Sequence, residues 1–412
     1  MPITYNTAIV LAGVSLLGAC AGLVGSFAVL RRRALVGDAL AHAALPGLCL
    51  AFLIVGERNL PAMLAGALAT GVLVISGLTH GTRIKEDAAI GIVLSVFYGG
   101  GIVLTSWIQN LATHGSKAGL TTYILGQTSG ITRQDVLLIA SVAAVCGLAV
   151  VLMSKEFKVV AFDPNFAGVQ GWPAFRLDLL LMSLVALTVV VGLPMVGVVL
   201  MAALLIIPAA AARFWTDRLE VLLVLSAVFG LLIGAVGVLP SSRIATLPGG
   251  PPIVLVGAAL FLASVLFAPR RGAIARSLAS RRFRRAVAEQ TALRVLYEIV
   301  EPRLQRMPAS VSLDAIQERK TWDDREALTI LGQLERKGLV QRQGDAAWAL
   351  TEHGLRRAAT VTRAFRLWEL FLSEHAETAG NYADLDVESL ESRLPREMIE
   401  SLELKLNATS SP

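Results

Sequence analysis

Residues Gly37 to Val55 have the sequence GDALAHAALPGLCLAFLIV, and this stretch decides how the chain is interpreted. It follows three consecutive arginines, and from Leu48 onward it is hydrophobic enough to continue into a membrane. Asp38 and His42 are four residues apart, so a helix places both side chains on one face. The sequence therefore predicts an ionisable pair at or inside the end of a spanning helix.

An ionisable pair in a membrane helix is costly and by default lines a polar path or binds an ion. A carboxylate and an imidazole without a nearby thiolate suit divalent manganese, iron or zinc. The spacing fits a second interpretation equally well: Asp38 caps a helix end near the interface and His42 packs against a neighbouring helix.

The 412-residue chain is 55% hydrophobic, but its charged residues are unevenly distributed. Up to Ala268 there are 14 basic and 10 acidic residues, whereas the remaining third of the chain contains 23 basic and 21 acidic ones. This contrast predicts a polytopic membrane domain followed by a soluble domain. Neither part is basic enough to indicate a nucleic-acid-binding protein by charge alone.

The three cysteines and the amino terminus add little chemistry. Cys20, Cys49 and Cys146 lie in apolar runs without metal-ligand spacing, which is typical of small core residues, and no disulfide framework is implied. The first residues lack the basic start and cleavage site of a secretory signal, so we expect residues 6–30 to be a retained spanning helix.

Apolar runs approach the length needed to cross a bilayer at nine places. The predicted spans are residues 6–30, 36–55, 60–80, 88–108, 134–154, 175–192, 196–214, 219–238 and 252–268. The short segment Gly119 to Ile131 is interpreted as re-entrant or interfacial. The expected domains are a transmembrane domain at 1–270, a basic linker at 271–288 and a soluble domain at 289–412.

The loop charges predict the orientation of these spans. With the amino terminus outside, ten of the 14 basic residues of the first part face the cytoplasm. Nine spans also deliver the soluble tail to the cytoplasm, after a further group of arginines between Arg270 and Arg285. We therefore expect a multi-pass protein of the cell (inner or plasma) membrane with a cytoplasmic carboxy-terminal domain.

Six motifs in order resemble the manganese/zinc/iron permeases of ATP-binding-cassette importers. The GDALAHAALPG motif resembles the second-span signature of that family, and the resemblance covers about residues 7 to 272. The other matching segments are Glu86 to Leu104, Leu125 to Val136, Phe162 to Pro173, Val196 to Phe214 and Leu247 to Phe267.

The resemblance implies a permease subunit of an ATP-driven metal importer. Its implied partners are a second permease subunit (a copy or a sister chain), cytoplasmic ATPase subunits, an extracytoplasmic metal-binding protein and membrane lipid. Asp38 and His42 match the proposed metal-path ligands of the family. The chain has no phosphate-binding Gly-x-x-x-x-Gly-Lys-Ser/Thr loop, so we expect no enzymatic activity and no permanently bound cofactor. The transported ion is manganese, iron or zinc; the scarcity of cysteine slightly favours the first two.

The segment Phe162 to Pro173 resembles the part of the family that couples to the ATPase. Asp163 suits a helix cap, Pro164 suits the first helical position, and the short helix is expected to end at Gly171. The alternative is a plain amphipathic loop. The residues predicted to couple are Asp163, Pro164, Phe166, Ala167, Gly168 and Gly171.

The carboxy-terminal part follows a different pattern. Helices are predicted at 289–300, 313–319 and 323–337, the third with Ala327, Leu328, Leu331 and Leu334 on one face, before a two-strand wing and another helix. That order resembles the winged-helix region of iron- and manganese-dependent (diphtheria-toxin-repressor-like) regulators. Phe365 and Glu391-Ser392 replace metal-binding positions of those regulators, and the acidic run from Asp323 to Glu326 would repel phosphates.

Nucleic-acid binding is therefore not expected, and an interaction or regulatory module is. The fold expected overall is an all-α polytopic membrane protein with about nine transmembrane helices and a small cytoplasmic winged-helix and helical domain. Two rival functions remain open from the residues: a membrane-tethered winged-helix metal-responsive regulator, and an importer of a metal chelate.

Overall fold

A computed structural model describes residues 5–31, 35–55, 60–81, 86–110, 126, 130–243, 249–302, 310–344, 347–374 and 396–409. The chain forms two compact units that divide between Arg276 and Ser277. The helices of the first unit are α1 (Tyr5–Leu30), α2 (Val36–Val55), α3 (Leu60–Gly81), α4 (Glu86–Ile92), a π-helical turn (Val93–Phe97), α5 (Tyr98–Asn110), α6 (Arg133–Leu152), α7 (Ser154–Phe162), α8 (Pro164–Val169), α9 (Ala174–Val196), α10 (Val198–Arg213), α11 (Leu219–Arg243) and α12 (Gly250–Phe267).

Seven helices among the described residues are long and apolar enough to cross a membrane. They coincide with seven of the nine predicted spans. The other two predictions, at 60–80 and 196–214, fall on helices whose apolar segments, Ala62–Val74 and Leu200–Arg213, are shorter. The first unit is thus a helical membrane bundle, as its run of apolar residues predicts.

Glycines allow two long helices of the bundle to touch through their backbones. A Cβ atom added at Gly230 of α11 would overlap the carbonyl oxygen of Gly18 of α1, and the reverse substitution would overlap equally. One turn away, Ser226 Oγ donates a 2.6 Å hydrogen bond to the carbonyl oxygen of Gly22. Small residues are what membrane helices use for such close packing, because lipid provides no hydrophobic drive for association.

A glycine also separates α9 from α10. Gly197 has φ +82°, a conformation that residues with a side chain rarely adopt. The helix ends there, three residues after Pro194. Gly126 has φ +72° and lies against the backbone of Val196 and Gly197. It belongs to the segment interpreted as re-entrant or interfacial; apart from Gly126, Gly130 and Ile131, that segment lies outside the described residues.

The second unit contains a small antiparallel sheet and several helices. Three strands pair in the order β1-β3-β2, with Val311 opposite Trp348 and Arg342 opposite the same tryptophan. The elements are α13 (Ala273–Val300), β1 (Ser310–Ser312), α14 (Leu313–Arg319), α15 (Asp324–Arg336), β2 (Val340–Gln343), β3 (Ala347–Leu350), α16 (Glu352–Glu374) and α17 (Arg396–Thr409).

Two details of the second unit differ from the predictions. The helix expected to begin at Glu289 begins at Ala273, so the arginine-rich linker is helical, because it contains neither proline nor glycine after Gly272. Leu328, predicted on the buried face of α15, is 47% exposed. Ala327, Leu331 and Leu334 are buried as predicted.

Candidate metal path and coupling surface

Helix α2 holds Asp38 and His42 at its amino-terminal end. Asp38 is the third residue of the helix and His42 lies one turn further, so both lie within about 10 Å of the helix start along its axis. Gly37, directly before Asp38, packs closely against the side chain of Leu205 of α10, so a Cβ atom there would require that side chain to move. The pair is therefore located at one end of a span and not at its middle.

The two side chains meet as their spacing predicts. His42 Nε2 lies 3.4 Å from Asp38 Oδ1, a polar contact between residues i and i+4. The His42 side chain is 17% exposed and that of Asp38 is 27% exposed. Both side chains are therefore only partly buried, and the helix fixes the spacing between them.

Tyr98 contacts the imidazole from another helix. The rings of His42 and Tyr98 meet edge to face, with centroids 4.6 Å apart and an interplanar angle of 79°. Tyr98 directly follows the π-helical turn Val93–Phe97, which inserts an extra residue and rotates the positions after it. Such π-turns often occur at functional sites. Here the π-turn directly precedes the aromatic residue that contacts the histidine.

One nitrogen of the histidine has no hydrogen-bond partner. His42 Nδ1 is buried and unsatisfied in the described part of the chain. A buried polar atom without a partner costs free energy, so it calls for an explanation. No group of three or more His, Cys, Asp or Glu side chains comes together among the described residues. Within the described ranges, Asp38 and His42 are therefore a pair and not part of a larger cluster of metal-ligand side chains.

A buried ion pair lies beside the start of α2. The Arg31 guanidinium at the end of α1 contacts the Asp178 carboxylate in α9, and both side chains are less than a tenth exposed. Val36, the first residue of α2, lines the same small cavity as these two residues. The two residues are 147 positions apart in the sequence, and the spacing of residues gave no signal for their contact.

A second polar cluster was also missed by sequence reasoning. The Sγ atoms of Cys20 in α1 and Cys146 in α6 each lie 3.6 Å from the Thr188 hydroxyl in α9. All three side chains are buried in the bundle. Thr188 donates to the carbonyl oxygen of Leu184 one turn earlier, so the cysteines are small core residues grouped around a satisfied hydroxyl.

The predicted coupling segment folds as a capped helix. Asp163 Oδ1 accepts a 2.9 Å hydrogen bond from the backbone N–H of Phe166, and Pro164 is the first helical residue, which confirms the predicted cap. The helix ends at Val169, and Gly171 follows with φ +80°. That left-handed conformation explains why a glycine closes the segment.

The coupling segment presents apolar side chains to the outside. Ala167 is buried and anchors the helix, whereas Gly168 has open space around its Cα. Large hydrophobic residues within and next to this helix have between 40% and 88% of their surface exposed. They are Phe162, Phe166, Val169, Trp172 and Phe175, and we call them the coupling patch. Clustered exposed apolar residues are typical of an interaction surface.

These features define a polytopic helical membrane protein with an ionisable pair at the end of a span and an exposed coupling patch. The sequence matches the ABC 3 transport family over residues 4–268, and the chain belongs to that family.

One relative matches nearly the whole chain, and another matches two thirds of it. It is 38% identical over 400 residues to the manganese transport system membrane protein MntC of Bacillus subtilis, covering 96% of this chain and 91% of that protein. It is 44% identical over 273 residues to the zinc transport system membrane protein TroC of Treponema pallidum, covering 66% of this chain and 91% of that protein. Among solved structures, PsaBC from Streptococcus pneumoniae in complex with Fab is similar with a TM-score of 0.57 and 30% identity, covering 65% of this chain and 94% of that one.

Proposed function

We propose that the chain is the permease subunit of an ATP-driven importer for a divalent transition metal ion, with Asp38 and His42 on the metal path. The observation that carries the proposal is the 3.4 Å contact between the carboxylate and the imidazole at the end of α2. Membership of the ABC 3 transport family supports the transport function, and relatives named for manganese and zinc transport support the class of cargo.

The chemistry of the pair fits such an ion better than it fits a metal chelate. Asp38 offers carboxylate oxygens and His42 offers an imidazole nitrogen, ligands that suit Mn²⁺, Fe²⁺ and Zn²⁺. A metal at the Nε2 side would leave Nδ1 to be satisfied by a second partner, as is usual for histidine ligands. The remaining ligands then come from a second permease subunit, from water, or from residues outside the described ranges. The proposed cargo is therefore a bare ion.

The test measures cell-associated manganese, iron and zinc by mass spectrometry in cells that express the chain with its ATPase and binding protein. Asp38→Asn removes the charge but retains the shape of the side chain, so we expect uptake to fall by at least about tenfold. The matched control is Asp135→Asn in the same unit. The Asp135 carboxylate accepts a hydrogen bond from the backbone N–H of Thr132, the N-cap residue of α6, and the side-chain oxygen of asparagine can accept the same bond.

Either of two results would count against the proposal. Normal uptake by the Asp38→Asn variant would remove the pair from the path. No rise in any metal with the unaltered chain, when all components are present in the membrane, would favour the chelate or the regulator.

We further propose that the coupling patch binds the ATPase subunit. The rigid cap at Asp163 and the exposure of Phe166 support this, because a short fixed helix can transmit a partner's movement to α9. Phe166→Asp places a charge in that apolar contact, and we expect ATPase co-purification to drop by at least about tenfold while membrane insertion is unchanged. The control is Phe267→Asp, a more exposed phenylalanine at the end of α12, outside the patch. Co-purification of Phe166→Asp at the normal level would contradict the coupling role.

The proposed orientation puts the coupling patch and the second unit in the cytoplasm and the amino terminus outside. This orientation is supported by the basic residues Lys158 and Arg271, which lie outside the long apolar helices. Lys158 of α7 pairs with Glu220 at the start of α11, and Arg271 pairs with Asp217 in the preceding loop. Basic residues favour the cytoplasmic side of a membrane protein.

For the second unit we propose a winged-helix-like regulatory or interaction module that does not bind nucleic acid. The helix–strand–helix–helix–hairpin order supports the winged-helix fold. The acidic start of α15, with Asp324 and Glu326 in its first turn, disfavours a phosphate partner. The alignment with the Bacillus subtilis relative extends over this unit, so the module accompanies the membrane unit in more than one protein.

A further inference from the structure

The first half of α13 contains four arginines within a stretch of five residues. Arg281, Arg282, Arg284 and Arg285 are exposed, and none forms an ion pair or hydrogen bond within the described ranges. Further along the unit, four arginines have carboxylate partners. These pairs are Arg294 with Glu298 and Glu369, Arg356 with Glu352, Arg363 with Glu403, and Arg366 with Glu301. These four neighbouring, exposed cations therefore have no carboxylate partner among the described residues and are available to an anionic surface.

Two of these arginines lie on a helix face with apolar side chains. Ile274, Leu278, Arg281 and Arg285 follow one another at spacings of four, three and four residues, which places them along one line of α13. Ile274 and Leu278 are exposed, at 45% and 51% of their surface. A face that combines apolar side chains with long cationic ones suits the boundary between lipid headgroups and acyl chains, where arginine extends its charge towards the headgroups.

The start of α13 is fixed close to the last membrane-spanning helix. Helix α12 ends at Phe267, and Ala268 has ψ 133°, so the span does not continue as one helix into α13. The connecting turn is held by Arg271, which contacts Asp217 at 2.6 Å, and by the tight packing of Gly272 against Ala268. The four arginines follow Phe267 by only 14 to 18 residues.

We propose that this face of α13 binds the headgroups of anionic phospholipids in the membrane leaflet next to it. Basic residues just outside a span are attracted to the negative surface of an anionic leaflet. The occupant is a lipid surface and not a nucleic acid, because α15 of the same unit begins with acidic residues, which repel phosphates. The lipid would hold this face of α13 at the membrane surface.

The test places the full chain, without ATPase or other proteins, in nanodiscs of phosphatidylcholine with or without about 30% phosphatidylglycerol. A fluorescent label on Ser277→Cys, on the same face as Arg281 and Arg284, reports proximity to a headgroup-linked quencher; the native cysteines are buried. We expect phosphatidylglycerol to increase quenching at least about twofold, and about 1 M salt to abolish that increase.

Charge-matched variants separate electrostatics from structure. Replacing Arg281, Arg282, Arg284 and Arg285 together with glutamine should abolish the increase, whereas replacing them with lysine should retain most of it. A label on Thr329→Cys in α15, exposed on another helix, serves as the control site. Quenching that ignores phosphatidylglycerol, or an increase that survives the glutamine variant, would overturn the proposal. An increase that requires added ATPase subunit would also overturn it, since the occupant would then be a protein.

Discussion

The two units of this chain use charged residues in opposite ways. Up to Ala268 there are 24 charged residues, and among the described ones two have partners inside the bundle or at its edge, Arg31 with Asp178 and Asp38 with His42. The remaining third of the chain has 44 charged residues, most of them exposed, and its ion pairs join helix surfaces.

The difference shows where a charge has consequences. A buried charge in a bundle pays a desolvation cost that only a well-placed partner repays, so each one is specific in its position. An exposed ion pair is screened by water and contributes little to stability. We therefore expect a large effect from substituting a buried charged residue in the first unit and a small effect from substituting an exposed one in the second.

The largest effect is expected from Asp178→Asn. The substitution removes the carboxylate that neutralises the buried Arg31 guanidinium, and such a loss costs about 3–5 kcal/mol. Thermal unfolding in detergent, followed by a thiol-reactive dye that detects Cys20, Cys49 and Cys146 when they become exposed, measures it. The double variant Arg31→Met/Asp178→Leu should recover most of the stability; if both variants unfold alike, the ion pair is not the cause.

An intermediate effect is expected from Gly230→Ala, which tests packing in the first unit without changing charge. The new Cβ would overlap the Gly18 backbone, so α1 and α11 must separate, at a cost of about 1–3 kcal/mol. Gly147→Ala is the matched control, because a Cβ there meets open space. The same dye assay compares the two variants. Equal stability of both would mean that the α1–α11 backbone contact contributes nothing.

The smallest effects are expected in the second unit. Arg366 binds Glu301 through both guanidinium Nη atoms, and hydrogen bonding to Glu301 raises the pKa of Arg366. Arg366→Ala should cost about 1 kcal/mol. Arg356 forms a more exposed pair with Glu352, and Arg356→Ala should have no measurable effect. Hydrogen exchange of α16 in the full chain separates the two. A loss for Arg356→Ala as large as that for Asp178→Asn would refute the contrast between the units.

Local features of the site were predictable because they depend on short-range spacing. The contact of Asp38 with His42 follows from the helical repeat, and the cap at Asp163 follows from an aspartate before a proline. The apolar runs gave the spans for the same reason, since a bilayer imposes their length. The roles of these residues in transport are proposals and rest on the chemistry and the family.

Long-range partners were not predictable from those local rules. Nothing in the spacing of residues links Tyr98 to His42 or Cys20 to Cys146, because each contact depends on how separate helices pack. The π-helical turn before Tyr98 is an example: it shifts the helix by one residue, which a regular 3.6-residue repeat does not anticipate. The exposure of Leu328 has the same origin, since the face of α15 that is buried depends on its neighbours.

The sequence by itself determined that this chain enters a membrane, which segments are helical in its first unit, and that Asp38 and His42 share a helix face. Hydrophobic run length and helical periodicity are properties of neighbouring residues, so they need no knowledge of the fold. Only the tertiary structure decided that Arg31 meets Asp178, that Tyr98 contacts His42, and that the arginines early in α13 lack a carboxylate among the described residues. Those relations depend on which helices lie side by side, and packing alone fixes that choice.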